Sequence, residues 1–206
     1  MKRCVIIGGA PINNYEYIKK ELKEDDYLIY CDSGLKHLDN LERKPNLIVG
    51  DFDSIDNPNL NIETIVLPCE KDDTDTVFGV KEGLKRGFDE FLLIGVIGNR
   101  IDHTMGNISI LLMLEKENKI GKIIDDYSEC EIVKNTTKYI EDSYSYFSLL
   151  TVTPITKGIT IKNAKYALNK ADIANYYQYG VSNEVLKGSI AEVSIEEGML
   201  LLIKVF

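Results

Sequence analysis

Tryptophan is absent from this 206-residue chain, and histidine occurs only twice. Four cysteines (Cys4, Cys31, Cys69 and Cys130) stand far apart, with no CxxC pair among them. That spacing argues against a zinc site or a disulfide framework and leaves buried free thiols as the expectation. Long hydrophobic runs are missing as well. No stretch approaches the ~20 apolar residues of a membrane span, and the opening MKRCVIIGGAP has no signal-cleavage pattern. Basic residues fall short of acidic ones, 24 against 33, for a net charge of −9. This deficit disfavours nucleic acid or an anionic membrane as the main partner. A cytoplasmic location is expected.

Apolar residues are ample: at 44% hydrophobic the chain can bury a proper core. Over the first ~125 residues, short apolar runs alternate with helical periodicity, the pattern of a parallel α/β sheet. The expected strands are CVIIGG (4–9), YLIYCD (27–32), LIVGD (47–51), ETIVLP (63–68), FLLIGVIG (91–98) and KIIDDY (122–127). Between them, Tyr15, Ile18 and Leu22 share one helical face, as do Val77, Val80 and Leu84, with Gly87 as the stop. A third stripe runs through Ile108, Leu111, Leu112 and Glu115. Beyond about Asn135 the chain turns rich in Thr, Tyr, Val and Ile with frequent turn residues, the signature of short antiparallel strands. The expected organisation is a parallel α/β domain over 1–130 and a smaller all-β domain over 131–206.

Charge is gathered in one place. Between Asp51 and Asp75 stand eight acids (Asp51, Asp53, Asp56, Glu63, Glu70, Asp72, Asp73 and Asp75) and one base, Lys71. Such a cluster repels itself unless solvent or a cation intervenes. In an extended segment, Asp51 and Asp53 would share a face with Cα atoms about 6.6 Å apart, placed to approach one hard cation. Capping of the next turn by Asp53 or Ser54 is the competing structural account. Asp72 and Asp75 lie three apart at an expected helix start, where acids also suit the helix dipole. Lys71 and Thr74 beside helix-terminal N–H groups suit phosphate oxygens. In GVIGNRIDHTMGN (95–107), Arg100 offers a planar fork. His103 and Asn107 face the same way at a helix's amino end, while Asp102 and Thr104 could instead be caps. IIGGAP after the first strand lacks the dinucleotide and Walker spacings. Acids, a lysine and an arginine at successive strand ends point to phosphoryl or pyrophosphoryl transfer from a Mg²⁺-bound nucleotide.

GDFDS (50–54), KDDTD (71–75) and GNRIDHTMGN (98–107) together resemble the motifs of the thiamine pyrophosphokinase family, and CDSG (31–34) resembles its preceding strand end. GVSNEVLKG (180–188) looks like that family's Ser-Asn turn, so the likeness spans nearly the whole chain. The resemblance implies a Rossmann-like nucleotide domain, a β-sandwich domain, and a homodimer that receives thiamine between subunits. It also implies ATP + thiamine → AMP + thiamine diphosphate. By that likeness Asp51, Asp53 and Asp75 hold Mg²⁺, and Asp32, Lys71, Thr74, Arg100, His103 and Asn107 serve ATP. Asp72 and Asp102 act as a metal-water partner or proton acceptor, and Ser182 and Asn183 meet thiamine. With no tryptophan, Tyr176, Tyr177 and Tyr179 are the candidates for stacking on its ring. A pterin pyrophosphokinase, an ordinary kinase and a nucleotide sensor without turnover remain as alternatives.

Overall fold

The computed structural model describes residues 2–53 and 60–206; Ser54 and Asp56 therefore lie outside the described residues. The chain divides into two compact units, Met1–Asp126 and Tyr127–Phe206.

The first unit is built on six parallel strands: β1 (Arg3–Ile7), β2 (Tyr27–Cys31), β3 (Leu47–Gly50), β4 (Thr64–Val66), β5 (Glu90–Ile94) and β6 (Ile120–Ile124). They are ordered β4-β3-β2-β1-β5-β6. From β1 the chain works outward to β4, then returns to β5 on the other side of β1. The switch point, where such sheets open a crevice, thus falls at the carboxyl ends of β1 and β5. Every run expected as a strand in this half forms one; the central runs are apolar on both faces and covered on both, while the edge strand β4 leaves Val66 exposed. Val5, Ile6, Ile7, Ile29, Val49, Leu93 and Ile94 are fully buried.

Helices α1 (Tyr15–Glu21), α2 (Leu38–Leu41), α3 (Asp75–Lys85) and α4 (Ile101–Lys116) connect the strands, and a 3₁₀ turn over Asp32–His37 leads into α2. Gly87 follows the last turn of α3 with φ +81°, the left-handed stop its position suggests. Two stripes differ from expectation. α3 buries Gly79, Val80 and Gly83 rather than Val77 and Leu84. A Cβ at Gly79 would stand 2.8 Å from Cys31 Sγ, and one at Gly83 would stand 2.7 Å from Phe91 Cε1. The helix therefore lies on the sheet along its glycines, which carry no apolar signal. α4 buries Asn107, Ile110, Leu111 and Leu114, a stripe rotated from the expected one by the polar anchor at its head.

The second unit is all β. Strands β7 (Ser128–Val133), β8 (Lys138–Glu141), β9 (Tyr146–Thr151), β10 (Ile155–Lys162), β11 (Leu168–Ala174), β12 (Ile190–Ser194) and β13 (Leu200–Val205) pair antiparallel in the orders β7-β13-β9 and β11-β10-β12-β8. Side chains from both layers, among them Phe147, Leu149, Ile159, Val193 and Leu202, meet in one apolar cluster. Among the described residues, no helix is long and apolar enough to cross a membrane.

Candidate active site

A cavity of about 540 Å³ opens where the first unit's strands end. The loop after β1 (Gly9, Ala10, Pro11) forms one wall, and the turn after β5 (Gly95 to Arg100) with the head of α4 forms another. These two loops pack backbone against backbone. A Cβ at Gly8 would lie 2.7 Å from the Gly95 carbonyl oxygen, and one at Gly95 would lie 2.6 Å from that of Gly8. Gly95 also adopts φ +63°, which only glycine takes without strain.

Three carboxylates converge in this cavity. Oxygens of Asp32, Asp51 and Asp75 all lie within 4.8 Å of one another. They come from separate strand ends: Asp32 follows β2, Asp51 follows β3, and Asp75 opens α3. Lys71 bonds to Asp51 and sits 3.2 Å from Asp75 Oδ1. Asp32 Oδ1 is buried with no hydrogen-bond partner among the described residues, and Asp75 Oδ1 has only that ion pair. Buried carboxylate oxygens are seldom left this way. Burial, seconded by Asp51 and Asp32 and opposed by Lys71, pushes the Asp75 carboxyl above its ordinary value. The hydrogen bond from Lys71 holds Asp51 below its own. For Lys71 itself, burial works downward but is outweighed by its bonds to Asp51 and Asp75, which raise it. One ammonium among three carboxylates leaves net negative charge and unsatisfied oxygens, a donor set that fits a hard divalent cation.

The trio differs from the expected Asp51, Asp53 and Asp75. β3 ends at Gly50, and Phe52 takes φ +59°, so the segment is not extended as expected, although Asp51 and Asp53 both line the cavity. Asp53 is exposed on the cavity wall, and its N–H bonds Asp51 Oδ1 at 3.3 Å. Asp32 takes its place in the cluster, in a left-handed conformation (φ +40°) that costs a non-glycine residue energy and is held by its surroundings. Asp72 is likewise displaced. α3 begins only at Asp75, with Thr74 as N-cap accepting from the Val77 N–H at 3.3 Å, so Asp72 is exposed ahead of the helix and off the cavity wall.

Of the other expected residues, Thr74, Arg100, His103 and Asn107 line the cavity. Asn107 Nδ2 donates to the Val96 carbonyl at 2.8 Å, pinning the turn after β5. Arg100 is the N-cap residue of α4, without a side-chain cap, and its fork grips Asp102 at 3.0 and 2.6 Å. That grip holds the Asp102 carboxyl far below the usual carboxylate range. Thr104 is not the cap either; its hydroxyl accepts from the Gly98 N–H at 3.2 Å. Ser33 and Asn99, from the quoted motifs but given no role there, also line the cavity, as do Lys36 and Thr76, which lie outside those motifs. Cys31 lines it too, with burial raising its thiol well above the ordinary value, so it is no nucleophile there.

Residues 18–123 match the family model described as "Thiamin pyrophosphokinase, catalytic domain", and residues 131–200 match that of the same family's vitamin B1 binding domain. The chain belongs to the thiamin pyrophosphokinase family. It is 28% identical over 212 residues to a thiamine pyrophosphokinase from Bacillus subtilis (strain 168), covering 99% of each chain. The crystal structure of thiamine pyrophosphokinase from Bacillus subtilis has a TM-score of 0.87 at 26% identity, again over 99% of each chain. Thiamin pyrophosphokinase from yeast, at 14% identity, retains the fold with a TM-score of 0.78, over 100% of this chain and 86% of that one.

The stretch that matches the B1 binding domain includes Ser182 and Asn183. Asn183 is buried and committed to its turn: Oδ1 accepts from the Tyr166 and Glu184 N–H groups at 3.0 and 2.9 Å, and Nδ2 donates to the Tyr166 carbonyl at 2.9 Å. Ser182 is exposed and left-handed at φ +59°. Tyr176, Tyr177 and Tyr179 are exposed nearby in sequence, and Tyr177 and Tyr179 have ring centroids 5.7 Å apart.

Proposed function

We propose that this chain transfers the pyrophosphoryl group of ATP to the hydroxyl of thiamine with Mg²⁺, giving AMP and thiamine diphosphate. In this reading the first unit is a Rossmann-like nucleotide domain, the second a β-sandwich that takes thiamine, and the protein is a cytoplasmic homodimer. The observation that carries it is the meeting of Asp32, Asp51 and Asp75, with a buried Asp32 oxygen left without a hydrogen bond, in a cavity of nucleotide size at the switch point.

The residues do their work by placement and charge. Asp32, Asp51 and Asp75 would hold Mg²⁺, which when bound neutralises and orients triphosphate oxygens. Lys71 keeps the carboxylates from repelling one another. Arg100 and Lys36 stand on the cavity wall as cations for phosphate, and the amino end of α3 adds N–H groups. Thiamine's primary hydroxyl attacks the β-phosphorus and releases its proton to solvent, its O–P bond forms as the bond to the α-phosphate oxygen breaks, and AMP leaves with that oxygen. Ser182 contacts thiamine, whereas Asn183 shapes the turn that presents it.

The deciding experiment is chromatography of nucleotides after incubating the protein with ATP, Mg²⁺ and thiamine. AMP equimolar with thiamine diphosphate is expected. ADP would mean an ordinary kinase, binding without AMP would mean a sensor, and turnover only with a pterin alcohol would move the acceptor. A second expectation concerns Asp102. Held at low pKa by Arg100, it is a poor proton acceptor, so Asp102→Asn should leave kcat near normal and lower the KM for ATP by releasing the arginine's fork. A steep fall in kcat would make Asp102 the base instead.

A further inference from the structure

The wall formed by Gly9, Ala10 and Pro11 has almost no side-chain atoms with which to hold itself in place. Its backbone is gripped instead. The Ala10 N–H donates to the Gly95 carbonyl at 2.7 Å, and the Ala10 carbonyl accepts from His37 Nε2 at 2.9 Å. His37, 1% exposed at the end of the 3₁₀ turn, is in turn bonded at Nδ1 to the Tyr15 hydroxyl at 2.7 Å. Lys36, next to it, bonds to the Gly9 carbonyl. Further along, the Asp126 carboxylate accepts from the Asn13 and Asn14 N–H groups, at 2.8 Å for Asn14.

The direction of the His37 bonds follows from chemistry. A carbonyl can only accept, so Nε2 carries the hydrogen, and in the neutral ring Nδ1 accepts from Tyr15. Burial, with help from the charge of Lys36 and against the Ala10 bond, holds the imidazole below its ordinary pKa, which favours that neutral form.

We infer that His37, oriented by Tyr15, is a positioning residue: its Nε2 donor fixes the Gly9–Pro11 wall for the nucleotide, and that donor rather than the ring's bulk sets nucleotide affinity. The inference rests on reading this cavity as the nucleotide site. A loop left free must be ordered on binding, and the ordering cost appears as lost affinity.

The test is calorimetric titration of the intact protein with α,β-methylene-ATP and Mg²⁺. His37→Asn keeps a polar atom near the Nδ1 position but cannot reach Ala10; His37→Gln reaches the Nε2 position and restores the donor. His37→Asn should weaken binding about three- to ten-fold, the worth of one hydrogen bond, while His37→Gln should stay near the parent. Both should lower the melting midpoint alike, and thiamine KM should not move. Tyr15→Phe, which removes only the orienting hydroxyl, should weaken binding in the same direction by a smaller factor. Equal weakening by Asn and Gln, or unchanged binding in His37→Asn and Tyr15→Phe, overturns the inference. If the parent binds the analogue yet makes no AMP from ATP and thiamine, the catalytic reading fails and the affinity comparison still decides the role of His37. If the parent does not bind the analogue, both fall.

Discussion

Changing Asp51 to Asn should lower kcat for AMP formation by 10²–10³, or ~2.7–4 kcal/mol of barrier, the range typical of a preorganised charged or hydrogen-bonding group. Asp51 is the member of the trio that touches most: it bonds to Lys71, accepts from the Asp53 N–H, and lies within reach of both Asp32 and Asp75. An amide keeps its shape and removes its charge. Asp32 and Asp75 would then remain beside Lys71, so the net charge of the group falls from −2 (three carboxylates, one ammonium) to −1 and its pull on a divalent cation weakens. The Mg²⁺ concentration for half-maximal rate should rise in parallel. Asp53→Asn supplies the contrast, because Asp53 is exposed on the wall and outside the trio, and should cost less than tenfold. Near-normal turnover in Asp51→Asn would remove the cluster from the mechanism. An equal loss in both variants would mean that the acids after β3 act as one unit, as an extended strand end would have required.

That contrast shows where the sequence was legible and where it was not. The central parallel strands could be read because a strand covered on both faces must be apolar throughout, and β1, β2, β3 and β5 give way to Gly or Asp at the edge that carries the site. The site's location followed from the same punctuation. Membership of the acid cluster did not, because it depends on two backbone torsions. Phe52 at φ +59° breaks the extended run between Asp51 and Asp53, and Asp32 sits in the group at φ +40°. Neither residue is a glycine, the residue that most clearly marks a left-handed position in a sequence. The α3 face was misread for the opposite reason: its contact with the sheet is made by glycines, which pattern reading counts as neutral. His37 was silent because its partners, Tyr15 and the Ala10 carbonyl, are brought together only by the crossover from β1 to β2.

The largest stability effect should come from the opposite edge of the same sheet, at Asp26. Its side chain is fully buried, and Arg3, at the start of β1, meets it with two parallel bonds, Nε to Oδ1 at 2.8 Å and a terminal nitrogen to Oδ2 at 2.7 Å. Oδ2 also accepts from the Lys23 N–H at 2.7 Å, and Arg3 donates to the Glu21 carbonyl at 2.7 Å, so the pair ties the end of α1 to the starts of β1 and β2. Bidentate geometry and neighbouring bonds are what a buried ion pair needs to repay its desolvation. Removing Asp26 leaves the guanidinium, itself only 10% exposed, with just the Glu21 carbonyl and the Glu90 carboxylate 4.0 Å away as partners. Asp26→Ala should therefore lower the unfolding free energy by ~3–5 kcal/mol in urea denaturation. The turnover of folded molecules at low temperature should stay near normal, since the cavity lies at the strands' other ends. The combined Arg3→Met and Asp26→Leu variant should cost less than Asp26→Ala alone, because it removes the stranded charge and refills the volume, leaving chiefly the Lys23 N–H unpaired. If the double variant costs as much as the single one, the stabilisation comes from the carboxylate's backbone bonds, and the guanidinium is incidental to it.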